Sequence, residues 1–119
     1  MKPFKVIIAG GRDFNQYDVL TSLCEIVLKN HITNLEIVSG GAKGADKLGE
    51  DYAKAYGYDI KVFPANWNKH GKSAGPIRNK QMAEYADALI AFWDGKSRGT
   101  KNMINNAKTL GLKIKIHYY

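Results

Sequence analysis

A chain of 119 residues is long enough to bury one hydrophobic core, and its single cysteine, Cys24, excludes a disulfide framework. Apolar residues at 45% and charged residues at 24% exclude a disordered or fibrous chain. Lysine and arginine (18) outnumber the acids (11), giving a net charge of +7 that favours anionic partners. No block of five like charges marks a nucleic-acid track.

The first strand is expected over residues 5–9. Its apolar run is too short, and too soon broken by glycine, for a signal peptide or a membrane span. A cytoplasmic protein with no membrane partner is therefore expected. Gly10-Gly11-Arg12-Asp13 follows, then a helical pattern over residues 17–30 with Leu20, Leu23 and Val27 on one face. Cys24 lies in that run and reads as a buried, inert thiol. A second strand over residues 35–39 leads into Ser39-Gly40-Gly41-Ala42-Lys43-Gly44-Ala45-Asp46, and a helix over residues 45–56 aligns Ala45, Leu48, Tyr52 and Tyr56. After a third strand, residues 59–63, comes a polar connection over residues 64–75 that holds Trp67 and His70. A connection of that length reads as a binding loop or lid. The third helix is expected to start at Pro76 and carries Ile77, Met82, Ala83 and Ala86. The fourth strand, residues 88–93, ends in Asp94-Gly95-Lys96-Ser97-Arg98-Gly99-Thr100. A fourth helix then aligns Met103, Ile104, Ala107 and Leu110, and a fifth strand covers residues 113–117. Gly57 and Gly111 stand where helices stop.

Strand and helix alternating four times predict an α/β fold. The form expected is a single Rossmann-like three-layer sandwich over residues 1–119, with a parallel five-stranded sheet in the order 3-2-1-4-5. In such a sheet the carboxyl ends of all strands share one edge, where ligands bind. The loops after the first four strands therefore converge on one crevice. The N–H groups of Gly40, Gly41 and Gly44 are candidates to cradle a phosphate, and Arg12 and Arg78 to clamp its oxygens. Thr100 is a candidate helix cap or phosphate-facing hydroxyl. Asp13 and Asp46 are the acids available to ribose hydroxyls. Trp67 and Trp93 offer rings to a base. Gly10, Gly11, Ser39, Asn79, Asp94 and Gly99 complete the expected ligand-binding set. Each also has a plainer role: Gly-Gly as a tight turn, Asp46 as a helix-start acid, Asp94-Gly95 as a turn, Trp93 as core, His70 as solvated surface, and Tyr118-Tyr119 as cover for an edge or interface. No His, Cys, Asp and Glu set has metal-ligand spacing, so neither metal nor cofactor is expected.

The Ser39–Asp46 run is similar to the Ser-Gly-Gly-Ala-Arg-Gly-Ile-Asp motif of the DprA DNA-processing proteins. Ile77-Arg78-Asn79-Lys80, Asp87-Ala88-Leu89-Ile90-Ala91 and Gly99-Thr100 resemble the Arg-Asn-Lys, Asp-Ala and Gly-Thr motifs of the LOG phosphoribohydrolases. With Gly10-Gly11-Arg12-Asp13-Phe14, the chain resembles the YspA-type branch of the SLOG superfamily over nearly its whole length. The resemblance implies a Rossmann-like domain that binds a nucleotide or a nucleotide-derived, ADP-ribose-like ligand, as sensor or sequestering module. It also implies a homodimer or higher homo-oligomer. One departure stands out. LOG enzymes carry a glutamate three residues after the threonine of Gly-Thr, and that position here is Met103. Methionine supplies neither acid nor base, which argues for binding over cleavage, and no catalytic residue is assigned. Two alternatives stay open: a phosphoribohydrolase or N-glycosidase using Asp46, Glu50 or Asp94, and a DprA-like nucleic-acid-binding protein.

Overall fold

The unbroken apolar runs form the middle of the sheet, as strands covered on both faces require. The computed structural model describes residues 2–119. Strands β1 (Phe4–Gly10), β2 (Leu35–Ser39), β3 (Asp59–Val62), β4 (Ala88–Trp93) and β5 (Lys113–Tyr118) pair in parallel in the order β3-β2-β1-β4-β5. The register sets Val6 beside Ile37 and Ala88, and Ile8 beside Ile90. This is the Rossmann-like order that the sequence predicts. The chain reverses its winding between β1 and β4, which opens a crevice at their carboxyl ends.

Period-2 alternation divides the core into two layers. Val6, Ile8, Ile37, Ile90 and Phe92 pack against α1 (Tyr17–Val27) and α2 (Ala45–Tyr56) through Leu20, Cys24 and Tyr52. Burial pushes the Cys24 thiol up to about 12, so it carries no thiolate at neutral pH. Ile7, Val38, Leu89 and Ala91 face the opposite layer, where Met82, Met103 and Ile104 lie. On β5, Ile114 and Ile116 pack toward this second layer, and Lys113 and Lys115, which alternate with them, are exposed.

Four local expectations are corrected. The first helix stops at Val27 rather than Asn30, because the next bond tightens to His31 N–H on Leu28 O, and Asn30, Thr33 and Asn34 are weak helix formers. The connection over residues 64–75 is not a loop. It holds a one-turn helix, α3 (Trp67–His70), capped by Asn66 Oδ1 accepting from Lys69 N at 3.1 Å. A 3₁₀ turn (Gly71–Ser73) then runs into α4 (Ala74–Tyr85). Neither short piece buries a side chain, so neither leaves an apolar period to read. Pro76 is thus the third residue of α4, still within the first turn, where a missing N–H costs no helical bond. The last helix, α5, spans Arg98–Thr109, and Ser97 rather than Thr100 caps it: Ser97 Oγ accepts from Thr100 N at 3.4 Å.

Candidate functional site

Two glycine-built turns meet where β1 and β2 end. Gly44, with φ +77°, precedes α2, and a Cβ on it would stand 2.3 Å from the Gly11 carbonyl oxygen and 2.6 Å from the Arg12 backbone. Only glycine lets these loops touch. Gly11 O also accepts from Phe14 N and Ala45 N, which ties the Arg12 loop to the start of α2. On its far side Gly11 is covered by Tyr119, whose hydroxyl would lie 1.8 Å from a Cβ there and donates to Asp13 Oδ1 at 2.5 Å. The Tyr119 ring packs on Phe14 at 4.9 Å between centroids.

The β2 loop folds on its own side chains. Ser39, fully buried, donates through Oγ to Glu50 Oε2 at 2.6 Å and accepts from Gly41 N at 3.1 Å. Ala42 N donates to Asp46 Oδ2 at 3.2 Å. The Gly41 N–H, one of the three expected to face a phosphate, is therefore engaged inside the loop. Arg78, early in α4, donates through Nη1 to Gly40 O and through Nε to Asn79 Oδ1 at 3.0 Å. Asn79 Nδ2 in turn donates to Asn102 Oδ1 at 3.0 Å and Gly99 O at 3.3 Å, joining α4 to α5.

These groups line one crevice. An inner cavity of about 280 Å³ is bounded by Gly10, Arg12, Asp46, Arg78, Asn79 and Thr100, with Met82 and Met103 also on its walls. Asp46 is 6% exposed. Burial pushes its carboxyl up to about 6, against the Ala42 N–H and the charge of Arg78; Glu50 adds to the rise and Arg12 opposes it. Burial lowers the Arg78 guanidinium from its ordinary value, partly offset by Asp46. Among the described residues the one ion pair within 4.0 Å is Lys47–Asp51, on the surface. Arg12 has no hydrogen-bond partner there, and Arg78 uses only Nε and Nη1 of its fork. The crevice thus presents unspent cationic donors among backbone, amide and methionine groups, with Arg98 also on its wall. No cluster of three or more His, Cys, Asp and Glu suited to a metal occurs among the described residues.

Of the expected site residues, the inner crevice gathers Gly10, Arg12, Gly40, Asp46, Trp67 and Arg78, together with Asn79, Gly99 and Thr100. Gly41 borders the adjoining outer cavity. Gly11, Ser39 and Gly44 lie behind the lining and shape it. Asp13 is turned to Tyr119, and Asp94 accepts from Lys96 N and Ser97 N at 2.8 Å each, which lowers its pKa and closes a turn outside the crevice. Trp93 is half-buried, with Nε1 donating to Ser97 O. Asn102 and Tyr119 were not expected. Asn102 stands three residues after Gly99, on the same helical face, a spacing that could have flagged it. Tyr119 reaches Asp13 across 106 positions and leaves no local signal.

The profile of the YspA, cpYpsA-related SLOG family matches residues 4–70 of this chain. The chain belongs to that family. This SLOG protein is 30% identical over 116 residues to the Gene 61 protein of Mycobacterium phage D29, covering 92% of this chain and 93% of that one. Its fold is similar to that of DprA from Streptococcus pneumoniae, with a TM-score of 0.75, 18% identity and 97% of this chain covered. The SLOG chain spans 50% of that DprA chain. It is also similar to TM1055, with a TM-score of 0.68 and 18% identity, covering 96% of this chain and 72% of the other. At such identities these two likenesses concern the fold. No helix among the described residues is long and apolar enough to cross a membrane.

Proposed function

We propose that this SLOG protein binds a nucleotide or nucleotide-derived anion at the carboxyl edge of its sheet, as a sensor or sequestering module. What carries the reading is the pair of arginines, Arg12 and Arg78, with unspent N–H groups over a glycine-lined crevice and no ion-pair partner. Guanidinium forks suit phosphate oxygens, and a low-dielectric crevice strengthens the attraction. Met103, 1% exposed in the wall, places an inert thioether where a hydrolase of the resembled type keeps its carboxylate. The test is calorimetric titration with AMP, ATP, NAD, ADP-ribose and cyclic nucleotides. Arg78→Ala is expected to weaken binding about tenfold or more, the worth of one charge-assisted hydrogen bond. Because Arg78 also holds Gly40, Arg12→Ala serves as the second variant; full affinity in both defeats the reading.

A second reading is N-glycoside hydrolysis with Asp46 as the acid. It is favoured by a buried carboxyl at about 6 inside the crevice, whereas Asp94 and Glu50 are committed to backbone and to Ser39. Free base released from a nucleoside monophosphate, and abolished in Asp46→Asn, supports it; its absence with binding intact removes it. DNA processing, named for the DprA neighbour, extends to this chain only as a third reading. It requires oligonucleotide affinity that falls steeply with salt. A cytoplasmic homo-oligomer accompanies the first reading, and light scattering of the purified protein checks the assembly.

A further inference from the structure

The amides between α4 and α5 are oriented by their partners, and one of them keeps donors to spare. Arg78 Nε can only donate, and it bonds Asn79 Oδ1 at 3.0 Å. The Gly99 carbonyl can only accept, and it takes Asn79 Nδ2 at 3.3 Å. Asn79, 7% exposed, is thereby fixed with Nδ2 toward α5. The Asn102 atom that meets this Nδ2 at 3.0 Å must then be Oδ1. Asn106 Nδ2, held on the Asn102 backbone carbonyl at 3.0 Å, donates to the same Oδ1 at 3.2 Å. Both lone pairs of Asn102 Oδ1 are spent. Its Nδ2 carries two N–H groups and has no partner among the described residues.

Asn102 lines the inner cavity beside the buried Met82 and Met103, whereas Arg12 and Arg78 border both the inner and the outer cavity. Polarizable thioethers pack well on a flat ring and offer a phosphate nothing. With phosphate on the two arginines, the base belongs against the methionines, one edge toward Asn102. The other polar side chains of this lining supply no acceptor to that edge. Trp67 and Arg98, the latter exposed at the start of α5, can only donate. Thr100 Oγ1 is paired with Ser97 Oγ at 3.1 Å. Asp46 accepts, but it lies at the arginine end: a Cβ on Gly40 would meet Asp46 Oδ2 at 2.9 Å and Arg78 Nη1 at 2.6 Å. An asparagine pairs with adenine through both amide atoms, one accepting from the exocyclic amino group. Asn102 has no such oxygen left. It rewards a carbonyl on the base and opposes an amino group.

Resting on the nucleotide reading above, we propose that Asn102 determines base specificity and selects oxo bases over amino bases. Hypoxanthine or guanine is then preferred to adenine, and uracil to cytosine. Titration of the full chain with IMP against AMP, and with UMP against CMP, tests this, because each pair shares its sugar, phosphate and charge. IMP, UMP or both are expected to bind about three- to tenfold more tightly than the amino counterpart, the worth of one hydrogen bond. The pair with the larger ratio gives the ring size that fits. Asn102→Asp keeps an oxygen for Asn79 and Asn106 and removes both free N–H groups. Its charge weakens all four ligands, so the readout is the ratio within a pair, expected to fall to about one or to invert. Asn102→Ala, without the added charge, is expected to bring the ratio to about one. Equal affinities within both pairs, a preference for the amino bases, or an oxo preference that survives in both variants overturns the proposal while the nucleotide site stands. No binding by any of the four overturns both readings.

Discussion

Asp46→Asn tests the electrostatics of the crevice without any ligand. The buried carboxyl has its pKa raised from 3.8 to about 6, so the folded chain holds a proton there that the unfolded chain has lost between those values. Stability falls with rising pH wherever the folded state binds more protons. The Asp46 contribution is therefore absent below about pH 3.8 and fully unfavourable above about pH 6. At 1.36 kcal/mol per pH unit, the interval is worth about 3 kcal/mol. Asparagine retains an oxygen for the Ala42 N–H and removes the charge. It is expected to stabilise the fold by roughly 1–3 kcal/mol at about pH 7.5, and by close to nothing at about pH 4. Urea unfolding at both pH values, compared between the two proteins, cancels the titration of every other acid. A stability difference that does not change with pH, or one that favours aspartate at pH 7.5, refutes the reasoning.

Two substitutions probe the loops behind the lining. Gly44→Ala forces a Cβ onto a backbone at φ +77° and within 2.3 Å of the Gly11 oxygen, so a loss of about 3 kcal/mol or more is expected in chemical denaturation. Tyr119→Phe removes the hydroxyl that Asp13 accepts and is expected to cost about 0.5–1.5 kcal/mol. Its signature in amide exchange is faster opening around Gly11 and Phe14 than in α5.

The sheet order was legible because β1 and β4 are short apolar runs closed by glycine or an aspartate turn, and the helices between them bury a regular face. Such periodicity reports burial, so α3, which buries nothing, escaped it and passed for loop. The crevice was legible for a similar reason: topology alone carries Gly10, Gly40 and Gly99 to one edge. What topology cannot say is which atoms are already spent. Asp13 and Asp94 have the chemistry of ribose ligands, yet one is held by a tyrosine far along the chain and the other by its own turn. The Gly41 N–H likewise satisfies Ser39. These are competitions between a ligand and a local partner, decided by geometry that residue type and spacing do not encode.

The alternation along β5 also governs how the chain can go wrong. Ile114 and Ile116 face the packed layer, and Lys113 and Lys115 face outward. A slip of one residue against β4 would turn both lysines into that layer and both isoleucines toward solvent, so misregistered pairing is strongly disfavoured. The same two charges stand on the edge of the sheet, where a strand from another molecule would otherwise find open N–H and C=O groups. Their replacement by threonine would leave the native fold nearly intact while raising its tendency to join sheets edge to edge.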